Sequence, residues 1–501
     1  MTSAIGMIDL KDTRVPIAIP LVVIGGFGIF QLMLGTDPLI LALCAISIAA
    51  PLIPLHLYGR DLYSMVGVLF SLRYAGVALM AKSFYGQTLD SHLFDAYSAF
   101  GLNALLMLLM TGVILIARAL DPGREAFPFP TDLPSLRRLS TFCFCFGLAA
   151  ELFVATKSAD GSSGGGSLFV IASSLAEFLF LGMIAETVYA IKKSEGRSFV
   201  TVRMALMLGV VLAIVLALNM RGFLLSCLIG IVITAFIYRM LRLRHILIGV
   251  VVAVFFTSIL TPITLYLRMQ KEGVTRAQFV ELAKDTVIKA ATDPSFFRAI
   301  SQAAEYAAFS NIKSEVEYDY YGDRSNVLNR LSFIGLLDAA AYAGHGRRPI
   351  GMPAVNQSLA RNAPGFLGFD KSDLSFGMGD WLSWQMDMGT YGIPAFLNFG
   401  LPMEGFVTWG LVGFIAYPFV LSLIILLICG RISSLKLPLP TSIFLFTSLQ
   451  TALIEDTSDG YLSVITRGLP TLLVGLFFTH KILFPRGATA QPASIAASTT
   501  N

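Results

Sequence analysis

The chain has 501 residues, of which 55% are hydrophobic and only 14% charged, with a formal net charge of +4. A soluble globular domain carries about 25% charged residues, so this composition points to lipid, and no nucleic-acid partner is expected. The five cysteines (Cys44, Cys143, Cys145, Cys227, Cys429) all lie inside apolar stretches, so neither a disulfide nor a cysteine-based metal site is expected.

In chain order, the polar start Met1 to Arg14 leads into an apolar run too long for a signal-peptide core, so the first span is expected to be retained. About 20 apolar residues are needed to cross roughly 30 Å of hydrocarbon as a helix. Twelve stretches fit: 15–35, 38–58, 62–81, 97–117, 139–156, 167–190, 199–219, 222–241, 245–267, 405–429, 439–455 and 460–483. Arg73 lies inside the third, and the eleventh ends in Glu455 and Asp456. The expected fold is an all-α polytopic membrane protein of about twelve transmembrane helices, with one large extracytoplasmic loop containing short amphipathic helices. Helices 1–9 would occupy residues 1–268, the loop 269–403 and helices 10–12 residues 404–486. Residues 487–501, rich in Ala, Ser and Thr, would form a disordered cytoplasmic tail.

Orientation follows from Lys and Arg in the short connections. Alternate connections hold Arg60, Arg118, Arg124, Lys192, Lys193, Arg203, Arg239, Arg431 and Lys436, among others. The opposite set, the long loop aside, holds little beyond Lys82, Lys157 and Arg221. That asymmetry puts both termini in the cytoplasm and the long loop outside. Within the loop, 275–311 reads as two short amphipathic helices broken at Asp293-Pro294, and 325–342 as a third. The segment 344–379, rich in Gly and Pro, reads as irregular, and Ile350, Met352, Phe366, Leu367, Trp381 and Trp384 suit a cap lying on the membrane interface.

Two groups of residues could carry chemistry. The first is cationic: Arg324, Arg330, Arg347, Arg348, Arg361 and Lys371 in the loop, with Arg221 between two spans. A guanidinium fork grips phosphate with two parallel hydrogen bonds, so an outer pocket of such residues could hold a pyrophosphate-linked lipid. The competing reading pairs the loop cations with Asp319, Asp323, Asp338 and Asp370, and makes Arg221 an anchor to lipid phosphate. Arg73 and Arg467, inside spans, could neutralise Glu151, Glu177 or Glu186. The second group could move a proton. His345 stands next to Arg347 and Arg348, which would favour a neutral imidazole. Glu404 lies where the loop re-enters the membrane, a position also suited to helix capping. Glu455, Asp456 and Asp459 form an acidic cluster beside the last span. No paired acids fill the first outer loop, and neither a phosphate-cradling Gly-rich loop nor a His-Glu-x-x-His occurs, so no metal or other cofactor is expected.

This layout resembles the bacterial O-antigen and exopolysaccharide repeat-unit polymerases, relatives of the O-antigen ligases. The resemblance rests on the single large loop before the last spans, on Asn219-Met220-Arg221-Gly222-Phe223-Leu224-Leu225, and on a series over 324–414. That series comprises Arg330, Gly344, Arg361, Pro364, Lys371, Thr390, Ile393-Pro394, Asn398-Phe399-Gly400, Glu404-Gly405 and Gly410-Leu411-Val412-Gly413. It implies a membrane glycosyltransferase of polysaccharide biosynthesis in the cell inner membrane. Such an enzyme moves a growing glycan from undecaprenyl pyrophosphate onto a new lipid-linked repeat unit, without metal or nucleotide sugar. A chain-length regulator and a flippase would be its partners besides the bilayer. Pyrophosphate would be held by Arg221, Arg330 and Arg361 or Lys371, with Arg347 and Arg348 nearby, and the base would be Glu404 or His345. Two alternatives remain at this point. One is a ligase-type glycan transferase, of whose His-then-Gly pattern Gly344-His345-Gly346 is a partial echo; the other is a non-enzymatic transporter of lipid-linked sugars.

Overall fold

The computed structural model describes residues 18–157, 167–218, 221–270, 276–310, 319–322, 326–345, 347–363, 374, 376–389, 391–392 and 399–485. The expectations for Met1 to Arg14, Phe366, Leu367 and the tail 487–501 fall outside them.

Where water is excluded, a backbone N–H must find its acceptor within its own segment, which a helix achieves. All regular structure among the described residues is helical, and the only β pairing there is an isolated bridge between Glu125 and Ser433. The helices before the loop are α1 (Ala18–Leu34), α2 (Pro38–Tyr58), α3 (Leu62–Phe84), α4 (Ala96–Leu120), α5 (Leu133–Lys157), α6 (Ser167–Ala176), α7 (Phe178–Lys193), α8 (Val202–Leu218), α9 (Arg221–Ile237), α10 (Leu243–Phe255) and α11 (Thr261–Met269). Next come α12 (Arg276–Thr292), α13 (Pro294–Ser310), α14 (Asn326–Leu331), α15 (Ile334–Gly344), α16 (Met352–Asn362) and α17 (Met378–Gln385). The last three are α18 (Gly400–Ile432), α19 (Pro440–Glu455) and α20 (Ser458–Leu483).

Six of these stretches are long and apolar enough to cross a membrane: α2, α3, α4, Ile171–Lys193, α18 and α20. The other stretches read as spans from the sequence also fold as helices, but they are shorter or, like α5, carry more charge. Capping fixes several starts. Asp37 accepts hydrogen bonds from the N–H groups of Leu39 and Ile40, Asp61 from Ser64 and Asp95 from Ser98, which places a carboxylate at the positive end of α2, α3 and α4. Arg73 and Arg467 each sit in a widened π-helical turn, Leu72–Gly76 in α3 and Val464–Gly468 in α20.

One end of the bundle gathers cations on protein oxygens. Arg60 donates to the Phe236 carbonyl, Arg118 pairs with Asp61 at 2.6 Å, Lys192 donates to the Thr131 carbonyl and Lys436 to that of Asp121. The starts of α2, α4 and α20 and the loop helices α15 and α16 lie at the other end. The loop follows the sequence expectation in part. α12 and α13 meet at Asp293, whose carboxylate caps α13 through Ser295 and Phe296, and both pack on α11 through Phe279, Ile300, Ile263 and Leu267. The expected third helix is two, α14 and α15, because at Phe333 the backbone N–H turns aside to bond the Arg73 carbonyl. The Gly/Pro-rich segment is not wholly irregular, for it contains α16, which opens on Gly351-Met352-Pro353 with the proline in its first turn.

α18 is the element that departs most from a simple span. Its 33 residues would extend about 50 Å if straight, well beyond the hydrocarbon. The helix breaks at Trp409 and Gly410, where Gly410 takes φ 62° and ψ −146°, a conformation open in practice only to glycine. There the chain doubles back. A Cβ on Gly405 would fall 2.1 Å from the Gly413 carbonyl oxygen, although eight residues of straight helix would separate the two by about 12 Å. The first limb ends on carbonyls of Val407 and Thr408 that accept hydrogen bonds from Ile350 and Gly351 at 3.1 and 2.9 Å, so the loop caps it. The membrane-length part of α18 therefore begins near Leu411 rather than at Gly405. A Gly405→Ala protein should lose about 1–3 kcal/mol of stability, read as a fall in melting temperature in detergent. Gly112→Ala, whose Cβ would meet nothing within 4 Å, should not lower it.

Candidate functional site

The first limb of α18 carries Glu404 into the protein, where it is 1% exposed. It does not cap its own helix. Its carboxylate accepts hydrogen bonds from the backbone N–H and the hydroxyl of Ser458, and so caps the start of α20. The Ser458 hydroxyl in turn lies 2.6 Å from that of Ser358 on α16. Because Ser458 donates to Glu404, the Ser358 hydroxyl donates to Ser458, and a chain of two hydroxyls runs from α16 to the carboxylate. Three elements remote in sequence are joined through it.

Arg361 lies one turn further along α16. It donates to the carbonyls of Leu374 and Phe376, which tie α16 to the segment leading into α17. Burial lowers its pKa, while the charges of Asp459 and Asp380 oppose the shift. Asn362 donates to the carbonyls of Ser358 and Asp459, and its own carbonyl accepts from Arg467 at 2.9 Å. Arg73 pairs with Glu455 at 2.6 Å and stacks over the Phe333 ring. The acidic cluster expected beside the last span is thus real, and cations flank it: Glu455 has Arg73, and Asp459 feels Arg361. At Glu186 the cation is neither Arg73 nor Arg467. Glu186 has Arg203 at 3.6 Å with hydroxyls of Ser140 and Thr201.

The structure brings Glu404 and Arg361 into one cluster and leaves other sequence candidates apart from it. His345 is exposed at the end of α15, and its charge acts on Asp95. Arg347 is exposed and pairs with Asp387 at 2.6 Å, and Arg348 is exposed beside it. Neither Arg347 nor Arg348 meets Asp338, whose carboxylate accepts the N–H groups of Phe94 and Asp95 and whose pKa burial raises. Arg221 opens α9 and Arg330 lies in α14, but their side chains fall outside the described residues, as do Arg324, Lys371, Asp323 and Asp370 altogether. The reading missed Ser358, Ser458 and Asn362, since nothing in residue type marks a serine whose partner is about a hundred positions away. It also counted Lys82 only among the cations of the short connections. That side chain is fully buried, donates to the carbonyl and hydroxyl of Ser91, and lies 4.2 Å from the Tyr320 ring centre, so it pins the loop to α3.

Compared with family models, with curated proteins and with solved structures, the chain matches none.

Asp456, between α19 and α20, supplies a pH test of this packing. Burial, with Asp459 and Glu455 adding negative charge, pushes its carboxyl up from 3.8 to about 6. The folded chain therefore holds a proton that the unfolded chain releases, and stability falls as pH rises from about 4 to 6. Asp456→Asn removes that cost, roughly 2–3 kcal/mol. Its melting temperature should exceed that of the unaltered chain at pH 8, with the gap closing near pH 4. An equal gap at both pH values would trace the effect to something other than the buried charge.

Proposed function

We propose that this chain polymerises oligosaccharide repeat units carried on undecaprenyl pyrophosphate, by metal-independent glycosyl transfer at the outer face of the bacterial inner membrane. In this reading about twelve helices cross the bilayer, the cation-gathering end and both termini are cytoplasmic, and residues 269–403 form the extracytoplasmic loop. The observation that carries it is the buried Glu404, bonded to Ser458 and through it to Ser358 of α16, with Arg361 one turn further along that helix, at the end of the bundle that this reading sets away from the cytoplasmic cations.

The leaving pyrophosphate is already stable as an anion, so the protein's main task is to hold and neutralise it. Arg361 would do so, joined by Arg221, Arg330 and Lys371. Transition-state charge held by such fixed donors is the largest single contribution in many enzymes. Glu404 would take the proton of the acceptor sugar hydroxyl as the new C–O bond forms and the bond to pyrophosphate breaks. His345, exposed and beside Asp95, is the weaker choice for that base, since it stands apart from the Arg361 cluster. Glu404 lies beneath α16, so the acceptor reaches it only when α16 lifts from α20, or through the hydroxyl chain that begins at Ser358. Arg347 and Arg348, on the exposed turn before α16, would meet the lipid-linked substrate on its approach. A chain-length regulator and a flippase would work beside it.

A strain lacking the chain should display glycans one repeat unit long and nothing longer. Long undelivered chains would instead identify a ligase, and units left facing the cytoplasm a transporter. Glu404→Gln keeps the shape and an acceptor for Ser458 but loses the basicity. It should insert and melt like the unaltered chain while lengthening glycans at least 100-fold more slowly. Normal chain lengths in that variant would remove Glu404 from the chemistry. Arg221→Ala should likewise insert normally and fail to lengthen glycans, with Arg221→Lys recovering only part, because an ammonium lacks the two-pronged grip.

A further inference from the structure

At the cation-gathering end, α4, α18 and α20 draw apart around a cleft of about 420 Å³. Its walls are Leu120 of α4, Leu427, Ile428 and Ile432 of α18, and Leu473 of α20, with Arg431 on the same lining. Leu120 and Leu473 are 54% and 37% exposed, so the cleft opens onto the outward apolar faces of spans rather than into the core. Arg431 differs from five of the cations at that end. Arg60, Arg118, Lys192 and Lys436 all bond to protein oxygens, and Arg203 pairs with Glu186. Among the described residues no carboxylate or other acceptor is bonded to Arg431, whose side chain is exposed. The negative end of the α18 dipole favours a cation there but uses none of the guanidinium donors.

We infer that this cleft is a binding site for one anionic phospholipid of the surrounding bilayer, its acyl chain against Leu427, Ile428 and Leu473 and its phosphate on Arg431. The size falls in the usual range for ligand pockets. An aliphatic slot ending in an unpaired guanidinium matches a molecule that is hydrocarbon at one end and phosphate at the other, and basic pockets between spans take such headgroups. The site lies at the end of the bundle opposite Glu404 and does not depend on the glycosyl-transfer reading.

The full chain, purified in detergent, is mixed with one equivalent of phosphatidylglycerol or of phosphatidylcholine, and bound lipid is counted by native mass spectrometry. Phosphatidylglycerol should bind in preference, and Arg431→Ala should weaken it about five-fold. Leu427→Trp, which fills the slot, should weaken binding as well, while Arg137→Ala, an exposed cation at the same end, should not. Equal binding of the two lipids, or undiminished phosphatidylglycerol binding by both the Arg431→Ala and Leu427→Trp proteins, overturns the inference. Matched melting temperatures of the variants separate a lost site from a lost fold.

Discussion

The arrangement at the end of the bundle away from the gathered cations depends on one backbone contact, the close approach of Gly405 to Gly413 across the reversal at Gly410. Two helix limbs can touch at that distance only where neither carries a side chain. The reversal lets a 33-residue helix fit a bilayer that a straight one would overshoot, and it turns the first limb inward. Everything around Glu404 follows. The limb presents Glu404 to the start of α20, exposes two carbonyls that Ile350 and Gly351 cap, and thereby fixes where α16 begins.

Charge is segregated along the bundle for a related reason. An ion inside an apolar bundle is costly unless it is paired and hydrogen-bonded. The cations of one end meet this by bonding to backbone carbonyls and to Asp61. Arg73, further along its span, instead meets Glu455 at the edge of α19, and the π-helical turn shifts its position on α3. Lys82 is held by a backbone carbonyl, a hydroxyl and aromatic faces, and so fixes the loop to the membrane helices. Removing such a partner leaves a buried charge behind, which makes these contacts stiff points in the frame.

Much of this was legible in residue order, and the limits have physical causes. Hydropathy located the apolar helices because lipid leaves the backbone no alternative. The break at Asp293-Pro294 was readable because a proline cannot donate at the start of α13 and an aspartate caps it. The start of α16 was also there to be read in Gly351-Met352-Pro353, but it was hidden in a segment whose glycines suggested irregularity. Glu404 and Arg361 were singled out by residue type and position. That they share a cluster was not visible, since it depends on Ser358, Ser458 and Asn362, hydroxyls and an amide too common to signal anything alone. The reversal in α18 was overlooked because an apolar run gives the same hydropathy whether it continues or turns back.

The burial of Glu404 constrains any chemistry proposed for it. A carboxylate bonded to a backbone N–H and a hydroxyl still has acceptor sites, but at 1% exposure no sugar reaches them in this arrangement. What lies over it is α16, held to α20 through Ser358 and Asn362 and to the neighbouring loop through Arg361. α16 is a short helix in which Ala354 and Ser358 are the buried residues. An element so attached opens at lower cost than the spans beneath it. The same residues that would hold a pyrophosphate, Arg361 foremost, are then those that close the cover, so a phosphate ligand would compete with the closed contacts. Substrate binding and uncovering of the carboxylate would thus be one event, and Glu404 would meet the acceptor only once the donor is in place.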